Sequence, residues 1–186
     1  MKPLKQILFF SVAAFFMVSC STPKTTHLTA AIRKQIEAKN LDFTKLQYYV
    51  DSDIELTREV KSDTAKITSG KLFFSNGKYI NQILLKAKTK GVCKHIYPNR
   101  LAIAFEEGED KFLNFGVNGL SAFDGAIYQL LPSNMISENT NKVFYEGNEY
   151  TIRIINQLPR LLIVTDEIFK GDTKKRTMKG ITVKDK

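Results

Sequence analysis

Lys71-Leu72-Phe73-Phe74-Ser75-Asn76-Gly77-Lys78-Tyr79-Ile80-Asn81-Gln82-Ile83-Leu84-Leu85-Lys86-Ala87-Lys88 reads as two strands around a two-residue turn. Asn-Gly accepts the positive φ angles of a type I′ hairpin, so Asn76-Gly77 folds Lys71–Ser75 onto Lys78–Lys88. The same chemistry recurs along the chain. Gly147-Asn148 joins Val143–Glu146 to Glu149–Ile154, and Glu107-Gly108-Glu109-Asp110 separates Leu101–Phe105 from Phe112–Val117. Upstream, Ile54, Leu56 and Val60 alternate with Glu55, Thr57, Glu59 and Lys61, the period-2 pattern of a half-buried strand. Leu101, Ile103 and Phe105 repeat that alternation.

Further strands are expected at Tyr128–Leu131, in the apolar run Leu161–Phe169 before Gly171-Asp172, and at Arg176–Val183. Strands spaced by short turns from about Lys45 onward predict a mainly β fold, an antiparallel meander forming a barrel or a sandwich. One short N-terminal amphipathic helix precedes it, over Thr29–Lys39. Leu28, Ala31, Ile32, Gln35 and Ile36 share one face at 3.6 spacing, and Asn40 offers a stop. Residues 28–186 thus form a single β-rich domain with a basic C-terminal tail.

Composition agrees with a packed domain. Of 186 residues 43% are hydrophobic, and 13 Phe with 7 Tyr supply a core, which excludes disorder as the main description. No apolar run approaches the roughly 20 residues a membrane-spanning helix needs.

The N-terminus carries an address. Lys2 and Lys5 precede an apolar stretch from Ile7 to Val18, broken only by Ser11, and Ser19-Cys20 follow. Twelve helical residues span only about 18 Å, so this is an export signal of residues 1–19 rather than a bilayer span. Met17-Val18-Ser19-Cys20 resembles the lipobox of bacterial lipoproteins. That resemblance covers residues 1–20 alone. It implies diacylglyceryl attachment to the Cys20 sulfur, cleavage before Cys20, and palmitate among the acyl chains. Ser21 at the next position, with no acidic run behind it, implies sorting to the outer membrane, facing the periplasm. Residues 20–27 then read as a lipidated tether. The seven from Ser21 to His27 reach about 25 Å when extended.

Charge is unevenly placed. Loss of Lys2 and Lys5 with the signal lowers the formal charge from +9 to +7. Between Thr64 and Phe105 no residue is acidic, whereas eight are basic. In a cytosolic protein such a balance would point to nucleic acid; an exported one meets anionic headgroups, glycans and envelope proteins instead, so no nucleic-acid partner is expected. Lys86, Lys88 and Lys90 alternate, which on a strand makes a linear positive stripe able to contact an anionic surface. Lysines on an edge strand also serve to repel other strands, the commoner use. Lys174, Lys175 and Arg176 in the tail are a second candidate contact with anionic lipid.

Catalytic signals are weak. Cys93 and His95 are two apart, so on a regular strand they share a face, and an imidazole there would favour a thiolate. No third group that would orient the histidine is apparent, and a structural cysteine is the expectation. Glu106-Glu107-Gly108-Glu109-Asp110 concentrates carboxylates without the alternate spacing of a calcium loop. Two histidines and one remaining thiol do not make a zinc site, and no phosphate loop or nucleophile elbow is present. No cofactor and no metal are expected. The reading is a membrane-anchored, non-enzymatic lipoprotein that binds or scaffolds envelope components; the alternative is a lipocalin-like carrier of an apolar or lipid ligand in a small barrel.

Overall fold

The computed structural model describes residues 23–61, 70–117, 123–137, 140–154 and 157–169. Among these residues the chain forms two antiparallel sheets. The first contains, in spatial order, β1 (Thr25–His27), β13 (Leu161–Val164), β2 (Tyr48–Val50), β6 (Lys90–Ile96), β7 (Arg100–Ala104), β8 (Phe112–Gly116) and β9 (Gln129–Leu130). The second contains β10 (Asn134–Ser137), β11 (Thr140–Tyr145), β12 (Asn148–Arg153), β3 (Ile54–Val60), β5 (Lys78–Leu85) and β4 (Lys71–Ser75). Neither sheet closes on itself, so of the two expected architectures the fold is a sandwich. One core takes side chains from both: Tyr48, Leu101, Ile103 and Phe115 from the first sheet, Leu56, Val143, Tyr150 and Ile152 from the second.

The hairpin chemistry acts where it was expected. Asn76 and Gly77 adopt φ of 49° and 78°, and Ser75 pairs with Lys78 across them. The second turn is shifted by one residue: Glu146 and Gly147 take the positive φ angles, so β12 starts at Asn148. In β3 the alternation holds, with Ile54 and Leu56 buried and Glu55 and Glu59 exposed. In β7 it does not. Leu101, Ala102, Ile103 and Ala104 are all buried, because the strand is central in its sheet and its alternate positions are small alanines that larger neighbours cover. The run expected as strand to Phe169 leaves the sheet after Val164 and forms one helical turn, α2 (Thr165–Ile168). The expected strand Arg176–Val183 lies outside the described residues.

The helix α1 (Ala30–Ala38) is capped by Thr29, whose hydroxyl accepts from the Ile32 amide at 3.2 Å. Its buried face is rotated from the expected one: Gln35 is exposed, and Arg33 is buried beside Ile36. The Arg33 guanidinium donates to Glu37 (2.8 Å), to the Tyr128 hydroxyl (3.0 Å) and to the Tyr97 carbonyl (2.8 Å), and its carbon centre lies 5.6 Å from the Phe43 ring centroid. These partners satisfy a charge that could not otherwise leave water. A short 3-10 turn, η1 (Phe43–Lys45), follows and brings Phe43 into the core. Residues 25–27, expected as the end of the tether, are instead strand: β1 pairs with β13.

Among the described residues three short connections carry the chain between the sheets: Val50 to Ile54 from β2 to β3, Leu85 to Lys90 from β5 to β6, and Leu130 to Asn134 from β9 to β10. The first two are held by aspartates. Asp51 accepts from the Arg160 amide (2.8 Å) and from Arg160 Nε (2.7 Å), and His27 Nε2 lies 3.5 Å from it. Asp53 accepts from Lys86 Nζ and from the Ala87 amide, each at 2.8 Å. Close packing at this corner requires Gly91, since a Cβ there would fall 2.7 Å from Ile103 Cγ2 and 2.8 Å from the Phe105 ring.

Burial alone would raise the Asp51 carboxyl, but the Arg160 hydrogen bonds outweigh it and hold the group below the usual aspartate value. Asp51 therefore stabilises the fold in its ionised form above its unfolded pKa, and that contribution is lost as pH falls through the lower folded value. Replacing Asp51 by Ala is expected to cost about 2 kcal/mol in urea unfolding at pH 7. The difference from the parent should shrink as the measurement moves below about pH 4.

Candidate functional site

An apolar cleft of about 220 Å³ opens between the sheets beside the second connection. Its floor is Leu56 of β3, Ile83 and Leu85 of β5, and Leu113 of β8, with Phe105 and Tyr145 as aromatic walls. The pleat delivers these side chains: Leu56 and Ile83 are direct partners across β3 and β5, as are Ile54 and Leu85, so the aliphatic positions of both strands point at the first sheet. Polar groups ring the mouth. Lys86 leans onto Asp53, and the Tyr145 hydroxyl donates to Glu106 Oε1 at 2.5 Å. Lys111 bridges Glu106 (3.0 Å) and Glu146 (2.9 Å).

These contacts set the electrostatics. Burial, then the hydrogen bond to the Glu106 carboxylate, pushes the Tyr145 hydroxyl well above the ordinary tyrosine value, so it remains a donor. The two carboxylates hold the Lys111 ammonium protonated above the usual lysine range. The cleft is thus an apolar slot whose mouth carries fixed charges of both signs. It has room for one aromatic ring or a short branched aliphatic group, below the 300–1,000 Å³ of a typical small-molecule site.

The lysine stripe does not form. β5 ends at Leu85, and residues 86–89 make a turn in which the Thr89 amide donates to the Lys86 carbonyl at 3.1 Å. Lys88 sits at φ 62°, its amide bonded to the Val50 carbonyl at 2.8 Å, and only Lys90 belongs to a strand, β6. The alternation argument fails here because it needs one continuous extended segment, and the chain turns where Asp53 takes the Ala87 amide and the Lys88 amide bonds to Val50. Lys86 is engaged by Asp53, while Lys88 and Lys90 are exposed. Cys20, Lys174, Lys175 and Arg176 lie outside the described residues.

The Cys93–His95 pair is separated by a bulge. Cys93 pairs with Ile103 and His95 with Ala102, leaving Lys94 as the extra residue. The expected shared face is lost: Cys93 turns into the core, and His95 is exposed, its ring edge-on to Phe112 at 5.3 Å. The thiol donates to the His95 carbonyl at 3.5 Å rather than meeting the imidazole. Glu106 likewise is no free hairpin tip but part of the Tyr145–Lys111 cluster. Among the described residues no group of three or more His, Cys, Asp or Glu side chains is placed to hold a metal ion.

The cleft residues carry no local sequence signal, since they come from β3, β5, β8, β11 and two connections. Hydrophobic alternation marks Leu56 as inward-facing but not what it faces.

Burial pushes the Cys93 thiol up to about 11. Iodoacetamide at pH 7.5 should therefore leave Cys93 unmodified in the folded protein and label it fully in urea. The unfolded chain ionises this thiol near 9.0, so stability should decline between that pH and about 11, and Cys93→Ala should lack this component of the decline.

No family model, no curated protein and no solved structure gives a significant match to this chain.

Proposed function

We propose that the chain is an envelope lipoprotein, anchored in the outer membrane by acyl chains on Cys20 and facing the periplasm. In this reading the sandwich binds or scaffolds envelope components and performs no catalysis. The observation that carries it is the order of the N-terminal residues: two lysines, an apolar stretch of twelve positions, then Ser19-Cys20. The short link supports it as well. Residues 20–24 are followed directly by β1, so an acylated Cys20 would hold the domain within about 15 Å of the bilayer. Each buried methylene contributes about 0.8 kcal/mol, and two or more chains give stable anchoring where one does not. Among the described residues no helix is long and apolar enough to cross a membrane. The cleft mouth, with Lys86, Glu106 and Lys111, offers a partner both charges around an apolar slot, the arrangement by which an inserted side chain is oriented.

The second reading, a carrier of an apolar ligand, has the same cleft in its favour. The volume suits a small group rather than a whole lipid, and a carrier would release such a compound on organic extraction of the purified protein. Labelled palmitate should enter the parent chain, and Cys20→Ala should abolish incorporation while leaving the longer, uncut precursor. Palmitate entering the Cys20→Ala chain equally would overturn the anchor.

A further inference from the structure

A groove of about 420 Å³ lies beside β9 on the outer face of the first sheet. Register fixes what faces it. Ile127 and Gln129 are two apart with buried Tyr128 between them, so both point outward. Arg160 is the direct bridge partner of Gln129 and shares its face. Phe123 and the exposed Gln157 complete the lining used here.

Both walls are braced. The Asp124 and Ala126 carbonyls accept from the Ala31 and Ala30 amides at the start of α1, each at 2.9 Å, and the Ala126 amide donates to the Phe123 carbonyl at 2.9 Å. On the other side the Leu130 amide donates to the Pro159 carbonyl at 2.7 Å, and Arg160 is fixed on Asp51. Phe123 thus stands 65% exposed on a loop whose backbone is held, so stacking a ligand on it orders little that is not already ordered.

The groove is electrically balanced. The charges that border it are paired with one another, Arg160 with Asp51 at 2.7 Å and Lys34 with Asp124 at 2.6 Å. No residue is charged from Phe112 through Phe123, from Gly125 through Ser137 or from Ile154 through Pro159. Hydrogen-bonding capacity is left over. Among the described residues the Gln129 and Gln157 carboxamides and the terminal nitrogens of Arg160 have no hydrogen-bond partner. A carboxamide both donates and accepts, and a guanidinium donates.

A ligand that answers this set carries no net charge, groups that both donate and accept, and an apolar face for the Phe123 ring. A pyranose has that composition: hydroxyls around its edge, and C–H groups on its faces that meet the negative face of an aromatic ring. An anionic headgroup finds no unpaired cation here, and a purely apolar ligand would strip water from the carboxamides without replacing its hydrogen bonds. We propose that this groove binds a neutral glycan, with a sugar ring stacked on Phe123 and hydrogen-bonded by Gln129, Gln157 and Arg160. This rests on the envelope-binding reading and names a class of component for it. The site is separate from the cleft, with which it shares no lining residue.

The chain has no tryptophan, so Phe123→Trp supplies a reporter in the path of the ligand. The full-length variant, in a sugar-free detergent, would be titrated with chitohexaose and with maltohexaose, two uncharged oligosaccharides that differ in linkage and in N-acetyl groups. Full-length Phe144→Trp, at a position 60% exposed on the second sheet, is the control. At least one of the sugars should shift the Phe123→Trp emission saturably and leave Phe144→Trp unchanged. Binding should be equal in about 50 mM and about 500 mM salt, since no charge is attracted. Adding Gln129→Ala and Gln157→Ala should weaken it about tenfold at an unchanged melting temperature. No saturable shift with either sugar, an equal shift in both reporters, or binding indifferent to the two carboxamides overturns the site. So does binding that falls with salt, which would assign the groove to an anionic partner, and a shift that follows protein concentration instead of sugar, which would assign it to a second copy. The titration needs no bilayer: failure to incorporate palmitate refutes the anchor alone, and failure of the titration refutes the groove alone.

Discussion

Two aspartates at the corner between the sheets, Asp51 and Asp53, hold the arrangement on which the rest depends. Each closes one of the short connections by taking a cation and a backbone amide at once: Arg160 for Asp51, Lys86 and the Ala87 amide for Asp53. Charge-assisted pairs of this kind are short and directional. They hold β3 and β5 so that their aliphatic rows face the first sheet, and the core and the cleft follow from that. The lysine alternation at 86–90 is lost to the same constraint, because Lys86 is drawn back onto Asp53 and the backbone turns through Lys88.

Arg33 plays a comparable part on the helix side. A guanidinium can be buried only with its donors satisfied, and Arg33 finds a hydroxyl and a carbonyl on distant segments as well as Glu37 one turn away. It thereby ties α1 to the Tyr97 connection and to Tyr128. Helical periodicity put Gln35 on the buried face, since a charged residue is ordinarily an outward one. The Tyr97 carbonyl and the Tyr128 hydroxyl, far away in the chain, reverse that preference.

The two ends of β5 differ in kind. At one end the inner face is covered and narrows into a cleft with charges of both signs at its mouth. At the other the cover stops, and Leu72, Phe74 and Tyr79 are left outside.

Local chemistry was sufficient for much of this. Asn76-Gly77 specified its hairpin because few other dipeptides take two successive positive φ angles, and Thr29 specified the start of α1 because its hydroxyl reaches the free amides of the first turn. The alternation at Ile54–Val60 placed a strand and its inner face. Long-range pairing was decided only in three dimensions. β12 joins β3, and β13 lies between β1 and β2, contacts between segments 94 to 139 residues apart that no local pattern encodes. The bulge at Lys94 and the cleft belong to the same class. A bulge depends on how two strands meet, and a cleft on where one sheet ceases to cover another, and both are set by packing rather than by any residue's own preference.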